Sequence, residues 1–321
     1  VLKGRRVLIM LSLAAAVGLI PLLVRNPFYL NVMSIMGLHA LIVVGLNLLI
    51  GYAGQISLGH AAFYGMGAYI SGVLTSTHGW PAWPALILAA AATGLVAYLV
   101  GIPTLRLKGH YLVMATLGFN LVLNIILVRW DAVTGGPSGL PGIPHLAIGG
   151  FVFDSDARNY YLIWSFTLLS VLASLNLVDS RVGRGLRAIH GSEVAANMLG
   201  VDTDAYKNRV FVLSAVLASL AGSLYAHYLG FISPRTFDIF FSIELVTMVI
   251  VGGMGNLWGT LCGAAFLTPL PQVLHLFEEY KDVLYGLILV IILMFIPEGL
   301  GGMISHWYQK RRMARLTGSA G

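Results

Sequence analysis

Runs of about twenty apolar residues recur along the whole of this sequence, and nothing else in it limits the fold so severely. Ten are legible, at roughly 7–24, 30–50, 56–76, 84–102, 111–130, 159–178, 209–231, 239–253, 256–274 and 282–300. A helix needs about 20 residues to cross a hydrocarbon core of about 30 Å. Lipid offers no hydrogen bonds, so a spanning segment must satisfy its own backbone, which a helix does within a single run. Of the 321 residues, 58% are hydrophobic and only 10% charged, where soluble domains carry roughly a quarter charged. The expected fold is an all-α integral membrane protein, a polytopic helical bundle of about ten spans in a single transmembrane domain covering 1–321. The third, eighth and ninth runs are the weakest, because glycine and polar residues interrupt them. The first follows Lys3, Arg5 and Arg6 and is too long for the apolar stretch of a cleaved signal peptide, so it reads as a retained span or signal anchor.

Charge tests the count. Ten spans put both termini on one side of the membrane. With that side cytoplasmic, the inner segments hold 14 of the 19 Lys and Arg residues, among them Arg106, Lys108, Arg181, Arg184, Arg187, Lys207 and the C-terminal Lys310, Arg311, Arg312 and Arg315. The outer segments hold five: Arg25, Arg129, Arg158, Arg235 and Lys281. Positive residues favour the cytoplasmic side, so both termini are expected there, with the basic C-terminal stretch beside anionic lipid. The net charge of +6 is accordingly an orientation signal, and no nucleic acid partner is expected. One cysteine, Cys262, excludes a disulfide within the chain and a thiolate metal site, and no second ligand stands near His60 to make a metal centre.

Two connections are long. The outer one, 131–158, contains VTGGPSGLPGIP, which predicts turns and no helix. It suits a lid, a docking surface or a passive solvated loop equally well. The inner one, 179–208, predicts a short amphipathic helix. Ser192 is placed to cap it, Glu193 sits in its positive first turn, and Ala195, Ala196, Met198 and Leu199 supply an apolar face. Gly200 ends it and Asp202 starts the next helix. Glycines at 51, 54, 59, 65, 67 and 72, and again at 252, 253 and 255, predict helices broken within the bundle, permitted at membrane depth where they face protein or a water-lined cavity.

These strings carry a resemblance. Glu193-Val194-Ala195-Ala196 followed by Gly200 resembles the EAA loop of ABC importer permeases, although Val194 interrupts the strict pattern. GYAGQISLGHAAFYGMGAYISG (51–72), LRLKGHYLVMATLGFN (105–120), VTGGPSGLPGIP (133–144), SLAGSLYAHYLGFISP (219–234) and SIELVTMVIVGGMGNLWGTLCGA (242–264) together look like the branched-chain amino-acid ABC-transporter permease family, and most like its LivM-type members. The resemblance implies a pore shared with a second permease subunit, LivH-type or a copy of this chain. It also implies two ATPase subunits that hold ATP and Mg, a periplasmic substrate-binding protein, and a place in the bacterial inner membrane. This chain has no G-x-x-x-x-G-K-[ST] phosphate loop, so no cofactor and no catalytic residue are expected in it.

What the resemblance implies for individual residues is a coupling set of Arg187, Glu193, Ala195, Ala196 and Gly200. For the translocation path the polar residues within spans are Gln55, Ser57, His60, Thr116, Asn120 and Glu244, with helix breaks at Gly54, Gly59, Gly65, Gly252, Gly253 and Gly255. Each has a structural alternative. Glu244 suits a hydrogen bond between helices, His60 a bond to a freed carbonyl, and asparagines within spans commonly join helices. Trp80, Trp83, Trp130, Trp164 and Trp307 read as interfacial anchors. Two rival classes remain at this level. An ion-coupled secondary transporter would want more buried acids than Glu244, and an intramembrane enzyme would need a partner for Ser57 and His60. Within the importer reading, urea or a short amide is the alternative cargo.

Overall fold

In the computed structural model, which describes residues 2–24, 26–107, 109–274, 280–295, 299 and 301, helix lies over each of the ten apolar runs. The helices are α1 (Leu2–Leu23), α2 (Pro27–Asn47), α3 (His60–Ser76), α4 (Ala82–Thr104), α5 (His110–Arg129), α6 (Asp131–Thr134), α7 (Asp156–Asp179), α8 (Arg181–Gly191), α9 (Glu193–Met198), α10 (Thr203–Leu229), α11 (Ile239–Gly252), α12 (Leu257–Leu267), α13 (Leu270–Val273) and α14 (Lys281–Phe295). Five are long and apolar enough to cross a membrane: α2 with its continuation to Tyr52, α4, α5, α7 and α10. The basic residues Lys310 to Arg315, with Trp307, Arg25 and Lys108, lie outside the described residues.

Helix α2 sits in the middle. It is apolar around its whole circumference, as befits a helix surrounded by protein, and Leu38, Leu41, Ile42, Val43, Val44 and Leu46 are all buried. Against it pack α7, α10, α11 and α12. Helices α3 and α10 approach closely. A Cβ on Gly67 would run into the backbone of Ser219, and one on Gly222 into the carbonyl of Tyr64. Small residues let helix backbones meet where no hydrophobic force drives them together. Ser223 Oγ adds a hydrogen bond to the Gly67 carbonyl at 3.0 Å. Two histidine–serine pairs flank the seam, His60 with Ser214 at 2.6 Å and Ser71 with His227 at 2.8 Å.

Trp164 departs from the expected interfacial role. It is buried between α2 and α7, where Gly37 leaves room for the indole and Nε1 donates to the Met33 carbonyl at 3.0 Å. The indole thus finds in the bundle the polar partner an interface would otherwise supply. Helix α1 docks on the same face of the bundle: Tyr160 and Tyr161 donate to the carbonyls of Val17 and Gly18.

The connection 131–158 is ordered and fastened down. One helical turn, α6, forms before the first glycine, where turns alone were expected, and Gly136–Ser138 follows as a 3-10 turn. Strand β1 (Leu140–Pro141) pairs with β4 (Phe231–Ile232), and β2 (Ala147–Ile148) with β3 (Phe151–Val152) in a tight hairpin. His227 and His145 lock the crossing, each bonded to a carbonyl of the other strand of chain, Pro144 at 2.7 Å and His227 at 3.0 Å. Trp83 Nε1 holds the hairpin through the Ala147 carbonyl at 2.8 Å.

The α3–α10 seam makes a direct prediction. Gly67→Ala and Gly222→Ala should each lower the melting temperature of the detergent-purified chain, by an overpacking cost of about 1–3 kcal/mol. Gly118→Ala on α5, whose Cβ would meet nothing within 4 Å, should leave it unchanged or raise it. Equal melting temperatures for all three variants would contradict the close packing described.

Candidate functional site

The sequence string around 51–60 folds into an interruption of the bundle. After α2 the chain makes a wider π turn, Leu48–Tyr52, a form that recurs at functional sites. A contact across the bundle lies beside it: Asn47 Oδ1 accepts from Gly255 N at 2.9 Å, and a Cβ on Gly51 would overlap Gly255. Gly255 follows the end of α11 with φ +73°, and Gly253 beside it has φ +109°, both favouring glycine. Gly252 meets Gly259 of α12 backbone to backbone. The two helix interruptions therefore touch.

From Gly54 to Gly59 the backbone is not helical. A helix start leaves N–H groups without partners, and in lipid water cannot supply them. Here side chains do. Leu58 N donates to Thr116 Oγ1 at 3.0 Å, Gly59 N to Ser57 Oγ at 3.3 Å, and Ala61 N to Ser242 Oγ at 3.0 Å. Asn120 Nδ2 donates to the same Ser242 Oγ at 3.3 Å and to the Asp238 carbonyl at 3.5 Å. Asn120 is midway along α5, so α3 and α11 both begin opposite the middle of that helix.

Of the residues expected along a path, Ser57, Thr116 and Asn120 converge on the start of α3, whose first residue is His60, and all four are buried. His60 bonds Ser214 of α10 rather than a carbonyl, and its ring meets Phe63 and Phe211 edge-on. Gln55 stands apart, its Nε2 on the Ala53 carbonyl at 3.3 Å. Glu244 lies two residues along α11 from Ser242 and so on another face, near Tyr285 of α14. Gly65 gives the Phe237 ring its seat against α3. Sequence reasoning missed Ser214 and Ser242, while Asn47 joins two parts of the bundle as asparagines within spans were expected to. A hydroxyl within an apolar run was the available signal, but it does not say which backbone group it serves.

The connection between α7 and α10 forms the second part. Ser180 caps α8, its Oγ accepting from Val182 N at 3.1 Å. Gly183, Leu186 and Ile189 face inward at helical spacing while Arg181, Arg184, Arg187 and His190 face out. Arg187 Nη1 donates to the Val178 carbonyl at 3.1 Å. Ser192 caps α9 through Ala195 N at 3.3 Å. Gly200, with φ +81°, reverses the chain after it, and Val201 N returns to the Ala196 carbonyl at 3.1 Å.

Glu193 does more than sit in the first turn. Its Oε1 lies 2.7 Å from Lys207 Nζ, which also donates to the Leu105 carbonyl at 3.1 Å and lies 3.4 Å from Asp204 Oδ1. Lys207 is 2% exposed. A buried ammonium persists only when paired and hydrogen-bonded, and here its partners tie α9, α10 and the end of α4 into one latch. The pair also sets the rotation of α9, which differs from the expected face. Ala196 alone turns inward, Ala195 is exposed, and Val194, Met198 and Leu199 project from the surface, the last two 84% and 83% exposed. Next to the latch, a Cβ on Gly54 would stand 3.1 Å from His190 Nδ1, so α8 touches the chain just after the π turn.

A family model described as branched-chain amino acid transport system / permease component matches residues 28–293. The chain is 30% identical over 286 residues to the high-affinity branched-chain amino acid transport system permease protein LivM of Salmonella typhimurium, covering 82% of this chain and 67% of that protein. It is 30% identical over 312 residues to LivM of Escherichia coli, covering 88% and 73%. To the permease protein LivH of Escherichia coli it is 27% identical over 293 residues, covering 82% and 91%. No solved structure matches the chain. The matched segment runs from the start of α2 through the interrupted helices and the α8–α9 latch into α14, and on that extent this multi-helix membrane protein belongs to the branched-chain amino acid transport system permease component family.

Proposed function

We propose that this chain is one of two permease subunits that enclose the pore of an ATP-driven ABC importer, carrying branched-chain amino acids across the bacterial inner membrane. The observation that carries the reading is the family match across residues 28–293. Similarity to both LivM and LivH proteins supports a pore built from two related chains. The chain crosses the membrane about ten times as a single domain, with both termini in the cytoplasm, as the bias of basic residues favours. ATP and Mg are held by two partner ATPase subunits, and a periplasmic binding protein delivers the cargo.

In this reading α9 is the coupling helix. Val194, Met198 and Leu199 form an exposed apolar knob fitted to a groove on the ATPase, and Arg187 flanks it. The Lys207 latch makes the knob rigid against α10 and α4, so displacement of the ATPase moves a unit rather than a loop. The same unit reaches the pore through His190 and Gly54. From there the π turn abuts Gly255, linking the interrupted helices on both sides of the path. Ser57, His60, Thr116 and Asn120 are buried in this conformation, and parting the start of α3 from α5 and α11 would expose them to cargo. Gln55 and Glu244 lie at the margins of that path.

Three outcomes follow for experiment. Replacing Met198 and Leu199 together by Asp should abolish co-purification of the ATPase subunits while the chain still inserts, and undiminished association would refute α9 as their docking element. Lys207→Met removes the buried charge and leaves Glu193 to solvent. It should keep the ATPases bound but cut uptake to below about a tenth, a coupling loss of about 1.4 kcal/mol, and wild-type uptake would remove the latch from the mechanism. Reporter fusions at 140 and 190 should lie on opposite sides of the membrane, and a same-side result would overturn the ten-span topology.

A further inference from the structure

A cavity of about 320 Å³ opens between the last turns of α4 and the first turn of α10. Its size is at the low end of small-ligand pockets, about 300–1,000 Å³. It lies on the flank of two helices long and apolar enough to span a membrane, at the end where α4 stops and α10 begins. One wall is apolar and outward-facing: Tyr98 and Ile102 of α4 are both exposed. The other wall is charged, with Arg106 just beyond α4, Arg209 on α10, and Asp202 and Asp204 where α10 starts. Among the described residues neither Arg106 nor Arg209 takes part in an ion pair or hydrogen bond. The floor holds Asn208, more than nine-tenths buried, whose Oδ1 has no hydrogen-bond partner.

Two guanidinium groups that make no direct ion pair leave their donors open to an anion, and a phosphate suits their planar fork. A purely anionic ligand would also meet two carboxylates. Asp202 accepts from Ala205 N at 3.1 Å and Asp204 lies 3.4 Å from Lys207 Nζ, and both residues line the cavity. A ligand carrying phosphate and ammonium together satisfies both signs, and the apolar wall suits a hydrocarbon chain at the membrane edge. A soluble phosphate ester would have no use for that wall.

We propose that this cavity binds the headgroup of a zwitterionic aminophospholipid. The phosphodiester lies between Arg106 and Arg209, the ammonium lies toward Asp202, and an acyl chain runs along Tyr98 and Ile102. The site needs only that α4 and α10 cross the bilayer, and it stands whether or not α9 couples to an ATPase. Because Asp204 belongs to the Lys207 latch, a lipid seated here abuts the base of that latch.

The test uses the full-length chain, delipidated in a mild detergent and titrated separately with dioleoyl phosphatidylethanolamine, dioleoyl phosphatidylglycerol and water-soluble glycerophosphoethanolamine. Native mass spectrometry reads the bound adducts. The wild type should retain one phosphatidylethanolamine in preference to phosphatidylglycerol, with little glycerophosphoethanolamine. Arg106→Gln with Arg209→Gln should weaken that adduct about tenfold or more, the loss of at least one charge-assisted contact, without lowering the lipid-free melting temperature, since both side chains are exposed. Asp202→Asn retains a capping side chain and should shift preference toward phosphatidylglycerol. Undiminished phosphatidylethanolamine binding in the double arginine variant would overturn the site. Equal uptake of glycerophosphoethanolamine would overturn its assignment to a lipid. An unchanged order of lipids in Asp202→Asn, or a wild-type preference for phosphatidylglycerol, would overturn the zwitterion.

Discussion

The structure depends on how backbone N–H groups are satisfied where a helix begins inside the bundle. In water such a start is inexpensive, because solvent completes it. In lipid each orphaned group costs several kcal/mol. Helix α3 nevertheless starts opposite the middle of α5, where Thr116 and Ser57 accept the N–H groups of Leu58 and Gly59 just before it and Ser242 accepts that of Ala61 in its first turn. Those hydroxyls come from α5, α11 and the chain just before α3, so the interruption exists only while these elements are assembled. The same requirement explains why the polar residues of the centre are small and buried. Ser57, Thr116 and Ser242 are the acceptors, and Asn120 donates to Ser242 in turn.

A second requirement acts at the end of the bundle where α7 gives way to α10. An ammonium in a protein interior is held there only by a full set of acceptors. Lys207 has a carbonyl from the end of α4 and carboxylates from α9 and α10. Removing any of the three elements would strand the charge, which makes the latch cooperative where a patch of apolar contacts would let α9 slide. Helix α9 has only six residues and could not hold its orientation through its own hydrogen bonds. Its stiffness is borrowed from the spans beneath it.

That the chain is a helical membrane protein was legible from apolar run length, although among the described residues only five helices are long and apolar enough to span. The caps were legible too: Ser192, Gly200 and Asp202 act through neighbours two to four residues away, and sequence spacing contains that information. What could not be read were contacts between runs. Lys207 counted as one more positive residue on the inner side, because nothing in 179–208 says that the end of α4 arrives above it. Trp164 looked like an anchor because its burial depends on Gly37, far away in the chain. The expected face of α9 failed because a helix under two turns long has no periodicity strong enough to fix its rotation, and a salt bridge to the next helix decides it. In the centre, Ser57, His60, Thr116 and Asn120 were recognisable as polar groups in apolar runs. The residues they bond to, Ser214 and Ser242, were not, because a serine in a span is ordinary.

The two requirements meet at Gly54. His190 of α8 packs on the chain there, at a glycine with φ +69° that follows the π turn. A regular helix would resist a push from α8 along its whole length, since every i to i+4 bond would have to move. A π turn followed by non-helical chain has few such bonds to preserve. Gly51 and Gly255 meet there backbone to backbone, and neither carries a side chain. The hydroxyl acceptors of the α3 start are single contacts that can be exchanged one at a time. Packed cores respond to small displacements by switching between arrangements rather than by bending. In the proposed coupling such a switch would act at the glycine-lined interruption beside the latch, where residues 54–59 leave the helical ladder.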